Sequence, residues 1–289
     1  MKKLVLSQMI VRNLLDRIAH IMQRILLHVF LMAFGFVMLM PFLWMVTTSL
    51  KPRELVRSAP HLIPTHFHWQ NYVIALNAAP FGKYYLNTII VVLGIVISQL
   101  LLSSLAGYAF ARLRFPGKNI IFLILLSTMM MPYYITLIPS YLIIRTLGLV
   151  NTHLGLILPF LVSAFGIFLF RQYYIGFPKD LEDKALIDGC SRLQIWLYIY
   201  LPLSKPCLAA LGTFAFLFAW NSFLWPLVIT TDPDMWTIQL GLAMFSGKYG
   251  TEWTYLMAGT TISVIPAIAL FMIFQKYYIK HLALSARLR

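Results

Sequence analysis

Charge is scarce in this chain: 11% of its 289 residues are Asp, Glu, Lys or Arg, while 60% are hydrophobic. No single soluble core could hide that much apolar surface, and with a mean hydropathy of +0.79 the chain belongs in a bilayer. Cysteine is scarcer still. Cys190 and Cys207 are the only two, and neither a disulfide nor a metal site is implied. Met129, Met130 and Met131 are no substitute as soft-metal ligands, because consecutive residues point in three directions on a helix; flexible packing near Pro132 accounts for them better. A phosphate-binding loop is also missing. The pairs Gly82-Lys83, Gly117-Lys118 and Gly247-Lys248 lack both the upstream glycine and the following Ser or Thr.

What is there is a set of long apolar runs. A membrane helix needs roughly 20 mostly apolar residues, and six charge-free windows qualify: 25–50, 84–111, 119–144, 146–170, 206–231 and 253–275. The window 58–82 is also free of charge but carries Pro60, Pro64, Pro80, three histidines and several amides, so it reads as an extracytoplasmic loop. The expected fold is therefore an all-α polytopic membrane protein with six transmembrane helices. Residues 1–24 form an N-terminal segment, 25–280 the membrane domain with a loop at 175–205, and 281–289 a tail.

Basic residues set the orientation. With the N-terminus in the cytoplasm, only Lys51, Arg53, Arg57, Lys83, Arg145 and Lys248 of the 23 Lys and Arg lie outside, so both termini are expected to be cytoplasmic in a prokaryotic-style inner membrane. The net charge of +14 is then a product of topology and of contact with membrane lipid, not a nucleic-acid footprint. The first 24 residues mix Lys and Arg with Leu, Ile and Val and read as an amphipathic helix on the inner surface. A cleaved signal fits less well, because the apolar run that follows is too long.

Two functional classes lose support at this point. All nine acids (Asp16, Glu54, Asp180, Glu182, Asp183, Asp188, Asp232, Asp234, Glu252) fall outside the six windows, whereas an ion-driven transporter usually buries a carboxylate at mid-membrane. A self-contained secondary transporter of a small solute remains the alternative reading. An intramembrane enzyme would need a nucleophile with its base, paired acids or metal ligands inside the helices. The histidines lie mostly in loops or near window ends, and His153, the most submerged, has no carboxylate within a helical turn. No catalytic and no metal-ligating residues are assigned.

The scarce acids concentrate in one stretch, "LEDKALIDGCSRLQIWLYIYLPLSKP", Leu181 to Pro206. Pro178 and a first turn of acids start a short helix that has Leu181 and Ala185 one turn apart and ends at Gly189. Ser191 then serves as an N-cap, Leu193, Trp196, Leu197 and Tyr200 share a face, and Pro202 stops the second helix. Two helices meeting at a glycine able to take positive φ make a compact elbow that can transmit force.

This stretch resembles the EAA loop of ABC importer permeases. The motif falls on Asp183, Lys184 and Ala185, the Asp-Gly pair on Asp188 and Gly189, and the closing residues on Ile199, Leu201 and Pro202. The resemblance continues in the pattern of the maltose-type carbohydrate permeases, with "SLKPRELV" from Ser49, "NY" at Asn71, "YYLNT" from Tyr84, "GYAFARLRFPGK" from Gly107 and "WNSFLWPL" from Trp220. It implies a permease subunit, not itself an enzyme, of an ATP-driven uptake system. The implied partners are a cytoplasmic ATPase dimer that binds ATP and Mg, a second homologous permease and an extracytoplasmic solute-binding protein. This chain itself would bind no cofactor.

Carried over residue by residue, the resemblance makes Glu182 and Asp183 polar docking contacts and Ala185 a small residue permitting close approach. It makes Gly189, paired with Asp188, the elbow, and Leu201 with Pro202 the return to the membrane. Departures from the pattern are Asp183 for glutamate, Lys184 and Cys190 for alanines, and His281 and Ser285 in a tail usually rich in glycine. For the transport path, Trp220, Asn221 and Trp225 combine aromatic faces with an amide, suited either to a sugar ring or to interfacial anchoring with one interhelical hydrogen bond. Pro132, Pro139, Pro159 and Pro266 are expected to kink or break their helices.

Overall fold

In the computed structural model of the chain, residues 2–58, 64, 66–247 and 250–287 are described, with their side chains except at 2–16, 57–58 and 276–287. The chain is mostly helical. A long α1 (Lys2–Ser49), short α2 (Arg53–Ser58) and α3 (Gln70–Asn77) lead to the central α4 (Phe81–Arg112). Then come α5 (Lys118–Thr128), α6 (Tyr133–Thr146), α7 (His153–Ile157) with a 3-10 turn at Leu158–Phe160, and α8 (Ala164–Ile175). The elbow comprises α9 (Asp180–Ile187), α10 (Arg192–Ile195), a π turn at Trp196–Tyr200 and α11 (Leu201–Leu203). The remainder is α12 (Lys205–Trp220), α13 (Leu224–Ile229), α14 (Ile238–Ala243), a two-residue hairpin of β1 (Ser246–Gly247) and β2 (Gly250–Thr251), and α15 (Trp253–Arg287).

Among the described residues, three helical stretches are long and apolar enough to cross a membrane unaided: Arg17–Ser49, Phe81–Arg112 and Trp253–Gln275. Three more candidates are bent pairs, α5 with α6 at 102°, the α7 segment with α8 at 46°, and Arg192–Leu203 with α12 at 81°. The count is thus three to six, and the unbroken windows read from the sequence need correction. Window 119–144 is two helices, because Met129–Met131 turn and Pro132, extended at ψ 134°, has no N–H with which to continue the first helix. Window 146–170 begins with a turn through Gly148 and Asn151, both at positive φ, so its helix starts only at His153. Window 206–231 stops at Trp220, breaks at 221–223 and resumes as α13. Of the four prolines, Pro132 and Pro159 lie at breaks, whereas Pro139 and Pro266 sit inside continuous helices.

The helices at the chain ends run past their apolar windows. α1 runs unbroken from Lys2, so the N-terminal segment continues the first apolar helix, and α15 passes through 275 and 280 to Arg287. Within the outer-loop window, α2 and α3 flank residues 59–63 and 65, which lie outside the described residues, as do Lys248 and the last two residues of the tail.

The helix α4 organises the rest, because its buried polar side chains satisfy backbone groups that the breaks leave open. Asn87 Nδ2 donates to the carbonyls of Asp234 and Trp236, at 2.8 and 3.0 Å, and Thr88 Oγ1 accepts from Ile238 N at 2.8 Å. Gln99 Nε2 donates to Phe160 O at 2.9 Å, and Ser103 Oγ accepts from Ser163 N at 3.4 Å. Hydrocarbon offers no alternative partner, so such side chains are what permit irregular backbone at membrane depth. Apolar packing follows the same axis. One cluster joins Tyr84, Val91 and Ile95 of α4 to Trp220, Trp225 and Ile229. Another joins Tyr108 to Phe170, Tyr174, Trp196 and Tyr200, seating the elbow against the ends of α4 and α8.

Closeness between α4 and α8 depends on Gly107. A Cβ there would come within 2.5 Å of Phe170 Cβ and 3.0 Å of Arg171 N, neither of which a rotamer change can move. The elbow's own geometry is set by its caps. Gly189 stands at φ +82°, and with Cys190 N donating to Ala185 O at 2.9 Å and Gly189 N to Leu186 O at 3.1 Å, α9 ends in a Schellman closure. Ser191 and Gln194 then form a reciprocal capping box that starts α10.

Gly107→Ala should therefore overpack the α4–α8 contact and destabilise the chain by roughly 1–3 kcal/mol, read as a lower thermal midpoint of the detergent-solubilised protein. Ser191→Ala should weaken α10 by about 1 kcal/mol, so that amide exchange in Arg192–Ile195 rises by about fivefold, with no change in α4.

Candidate coupling site

The elbow brings its candidate residues to two different faces. Asp183, Asp188 and Gly189 are exposed, Pro202 is exposed and Leu201 half-buried. Ala185 is buried, facing the aromatic cluster of the elbow. Ile187 projects at 85% exposure and Leu193 at 58%, which gives the exposed crest an apolar component beside its acids.

Glu182 departs from the expectation of a surface docking contact. Its side chain is only 9% exposed, and its carboxylate is engaged inside the chain. Arg192 pairs with one oxygen, while Arg112 Nε lies 3.8 Å from the other, to which Tyr200 Oη donates at 3.4 Å. The physical reason is helical phase. On α9, positions 182 and 185 turn toward the core and 183 and 187 away from it, so one of two adjacent acids is buried and must find cations. Burial pushes the Tyr200 phenol up to about 12, the nearby Arg112 charge opposing that rise, so the group remains a protonated donor at neutral pH.

Sequence reading missed Arg112, Arg192 and Tyr200 as members of this site. The signal lay in "GYAFARLRFPGK", where Arg112 is the first cation after the long run of α4, and a cation so placed needs a partner or water. The second elbow helix also packs differently from the expected face. Ile195, Trp196 and Tyr200 are buried, whereas Leu193 and Leu197 are exposed. The π turn at 196–200 widens the helix and moves the inward positions off the regular 3.6-residue phase.

The three path candidates separate likewise. Trp220 and Trp225 are buried, and each indole N–H donates to a backbone carbonyl of another element, Ser263 O and Gly155 O, both at 3.1 Å. Asn221 is exposed, and its Nδ2 donates to Leu217 O at 2.9 Å, closing its own helix. The amide and both indoles are therefore structural ties. Trp225 nonetheless walls a cleft of about 610 Å³, where the break between α5 and α6 faces α4, α12 and the α7–α8 break. Gln99, Thr136, Ser140 and Ser163 supply polar groups to this cleft, and Phe160 and Phe214 supply aromatic faces. These polar residues were not singled out in the sequence, because they are uncharged and scattered through apolar runs.

His153 meets an amide and no acid, with Nε2 2.9 Å from Asn87 Oδ1. Among the described residues no group of three or more His, Cys, Asp or Glu is placed to hold a metal ion.

Known proteins match this architecture over nearly its whole length. The family described as binding-protein-dependent transport system inner membrane component matches residues 99–283. An arabinooligosaccharides transport system permease protein of Halalkalibacterium halodurans is 38% identical over 255 residues, covering 87% of this chain and 91% of that one. A diacetylchitobiose uptake system permease protein of Streptomyces coelicolor is 32% identical over 253 residues, covering 86% and 84%. Among solved structures, a chain of a bacterial ABC transporter involved in the import of the acidic polysaccharide alginate superposes with a TM-score of 0.78 at 26% identity, covering 91% of this chain and 97% of that one. The spans, the breaks and the elbow thus occur in a chain that belongs to the family of binding-protein-dependent transport system inner membrane components.

Proposed function

We propose that this chain is one permease half of an ATP-driven importer that takes up a carbohydrate across the bacterial plasma membrane. It works with an ATPase and a binding protein, and in this reading the ATPase is a cytoplasmic dimer that holds ATP and Mg, with a second homologous permease completing the path. The observation that carries the reading is the elbow. Two capped helices meet at a left-handed glycine and present Asp183, Ile187 and Asp188 outward, while their inner face is seated on the aromatic cluster at the ends of α4 and α8.

Six spans follow if the α5–α6 and α7–α8 pairs each cross once and α12 with α13 makes the fifth crossing. The stretch Arg192–Leu203 then belongs to the cytoplasmic loop 175–205, and both termini are cytoplasmic. Segments 1–24 and 281–289 are cytoplasmic around the membrane domain 25–280, and α1 and α15 reach into them as far as Lys2 and Arg287. Closure of the ATPase on ATP rocks the elbow and turns the cleft beside Trp225 outward to receive solute from the binding protein; hydrolysis returns it inward. Relatives named for arabinooligosaccharides and diacetylchitobiose support a sugar. The hydroxyls and amide of the cleft, set beside aromatic rings, suit sugar hydroxyls and ring faces.

Gly189→Asp tests this reading. A side chain at φ +82° meets no neighbouring atom, so the chain should still insert, at a local cost of about 1–2 kcal/mol. It adds bulk and charge to the outer face of the elbow, and solute uptake per ATP in proteoliposomes should fall by at least about tenfold. Normal uptake by this variant counts against coupling through the elbow.

A further inference from the structure

Arg112 is the last residue of α4 and ties together segments that are far apart in sequence. Its Nη2 donates to Phe177 O in the link between α8 and α9, its guanidinium lies 5.3 Å from the centre of the Tyr200 ring, and its Nε faces Glu182. Tyr200 in turn packs on Tyr108, one turn back along α4, with ring centres 4.9 Å apart. The Arg112 and Glu182 side chains are 7% and 9% exposed, whereas Arg192, the second cation on Glu182, is 49% exposed. Separating the two would leave the buried guanidinium with no carboxylate, only the Phe177 carbonyl, and the buried carboxylate with the half-exposed Arg192 and the Tyr200 hydroxyl, so the penalty falls mainly on the buried arginine. The buried ion pair thus ties α9 to the end of α4, while Arg192 holds Glu182 from the half-exposed side, where water can take over part of its role.

We propose that the Arg112–Glu182 pair is the joint through which movement of the elbow passes to α4, and that both are positioning residues and not contacts with the ATPase. The proposal rests on the coupling role assigned to the elbow above. α4 carries Gln99 into the cleft and fastens the α7–α8 break through Ser103. A displacement delivered at Arg112 thus reaches the transport path along one rigid helix, without passing through a flexible loop.

The test uses the assembled importer in proteoliposomes and compares Glu182→Gln, Arg112→Gln, Arg112→Lys and Arg192→Gln. Glu182→Gln and Arg112→Gln should retain the ATPase on purification and hydrolyse ATP within about twofold of the parent, while solute moved per ATP falls about tenfold or more. Arg112→Lys keeps the charge and should recover part of that loss, and Arg192→Gln should stay within about twofold of the parent. Loss of the ATPase from the Glu182→Gln complex would make Glu182 a docking contact and overturn the proposal, as would unchanged solute per ATP. Should the variants fail to assemble, spin labels at the exposed positions Leu181 and Leu101 decide the matter in a complex with this pair intact. The proposal requires their separation to stay within about 2 Å between nucleotide-free and ATP-trapped states, and a change beyond about 5 Å excludes it. If Gly189→Asp uncouples and Glu182→Gln does not, the joint is wrong and the elbow reading stands; if neither uncouples, the elbow reading itself fails.

Discussion

Hydrocarbon cannot answer an open backbone N–H or C=O, and this constraint shapes the whole chain. Three of its candidate spans are broken or bent, and each break exposes backbone groups that a straight helix would have satisfied internally. At the α7–α8 break the answer comes from α4, where Gln99 and Ser103 bond the backbone of Phe160 and Ser163. Farther along the same helix, Asn87 and Thr88 hold the stretch 234–238 and Arg112 the link between α8 and α9. The other two breaks close largely by local bonds, Met129–Met131 onto the end of α5 and Ser204 N onto Tyr200 and Leu201, so one uninterrupted helix and tight turns share the task.

This arrangement also joins architecture to transport. The side chains that make the breaks tolerable lie between the elbow at one end and the cleft beside Trp225 along the way. Gly107 lets α8 approach closely enough for the elbow's aromatic cluster to form against both helices. Packing at the elbow is dominated by large rings, Tyr108, Tyr174, Tyr200 and Phe177, in edge, tilted and stacked contacts. Such a cluster resists shear better than flexible aliphatic packing, in keeping with the dense interior that lets sub-ångström shifts be passed on as whole-body motion.

Much of this was legible in the sequence, and the exceptions have physical causes. Long apolar runs located the membrane segments because composition alone decides partition into lipid. Gly189 and Ser191 announced the elbow because a left-handed turn and an N-cap each demand particular residues, and the structure shows both devices. The breaks were less legible, since the same apolar residues suit a straight or an interrupted helix. Pro139 and Pro266 are accommodated while Pro132 ends a helix, a difference set by tertiary packing. The pairing of Glu182 with Arg112 was hidden because the two are 70 positions apart, and helical phase had to decide which of two adjacent acids turned inward. The path residues on the fifth window read from the sequence as either sugar contacts or interfacial anchors with an interhelical bond. Their indoles tie helices together, and the polar groups named in the cleft come from three other stretches, Gln99 on α4, Thr136 and Ser140 on α6 and Ser163 at the start of α8.

The turn at Met129–Pro132 has one more consequence. Here α5 stops and α6 departs at 102°, with Met130 projecting at 84% exposure. The last carbonyls of α5 do not go unanswered: Leu126, Ser127 and Thr128 accept from the amides of Met129, Met130 and Met131, at 3.1, 3.1 and 3.2 Å, and the Ser127 and Thr128 hydroxyls donate to the carbonyls of Ile124 and Leu125. Pro132 brings no amide that would need a partner, and its own carbonyl accepts from Ile135 N at 3.1 Å. The corner therefore closes largely on itself, and α6 can depart steeply without a neighbouring helix having to complete its hydrogen bonds.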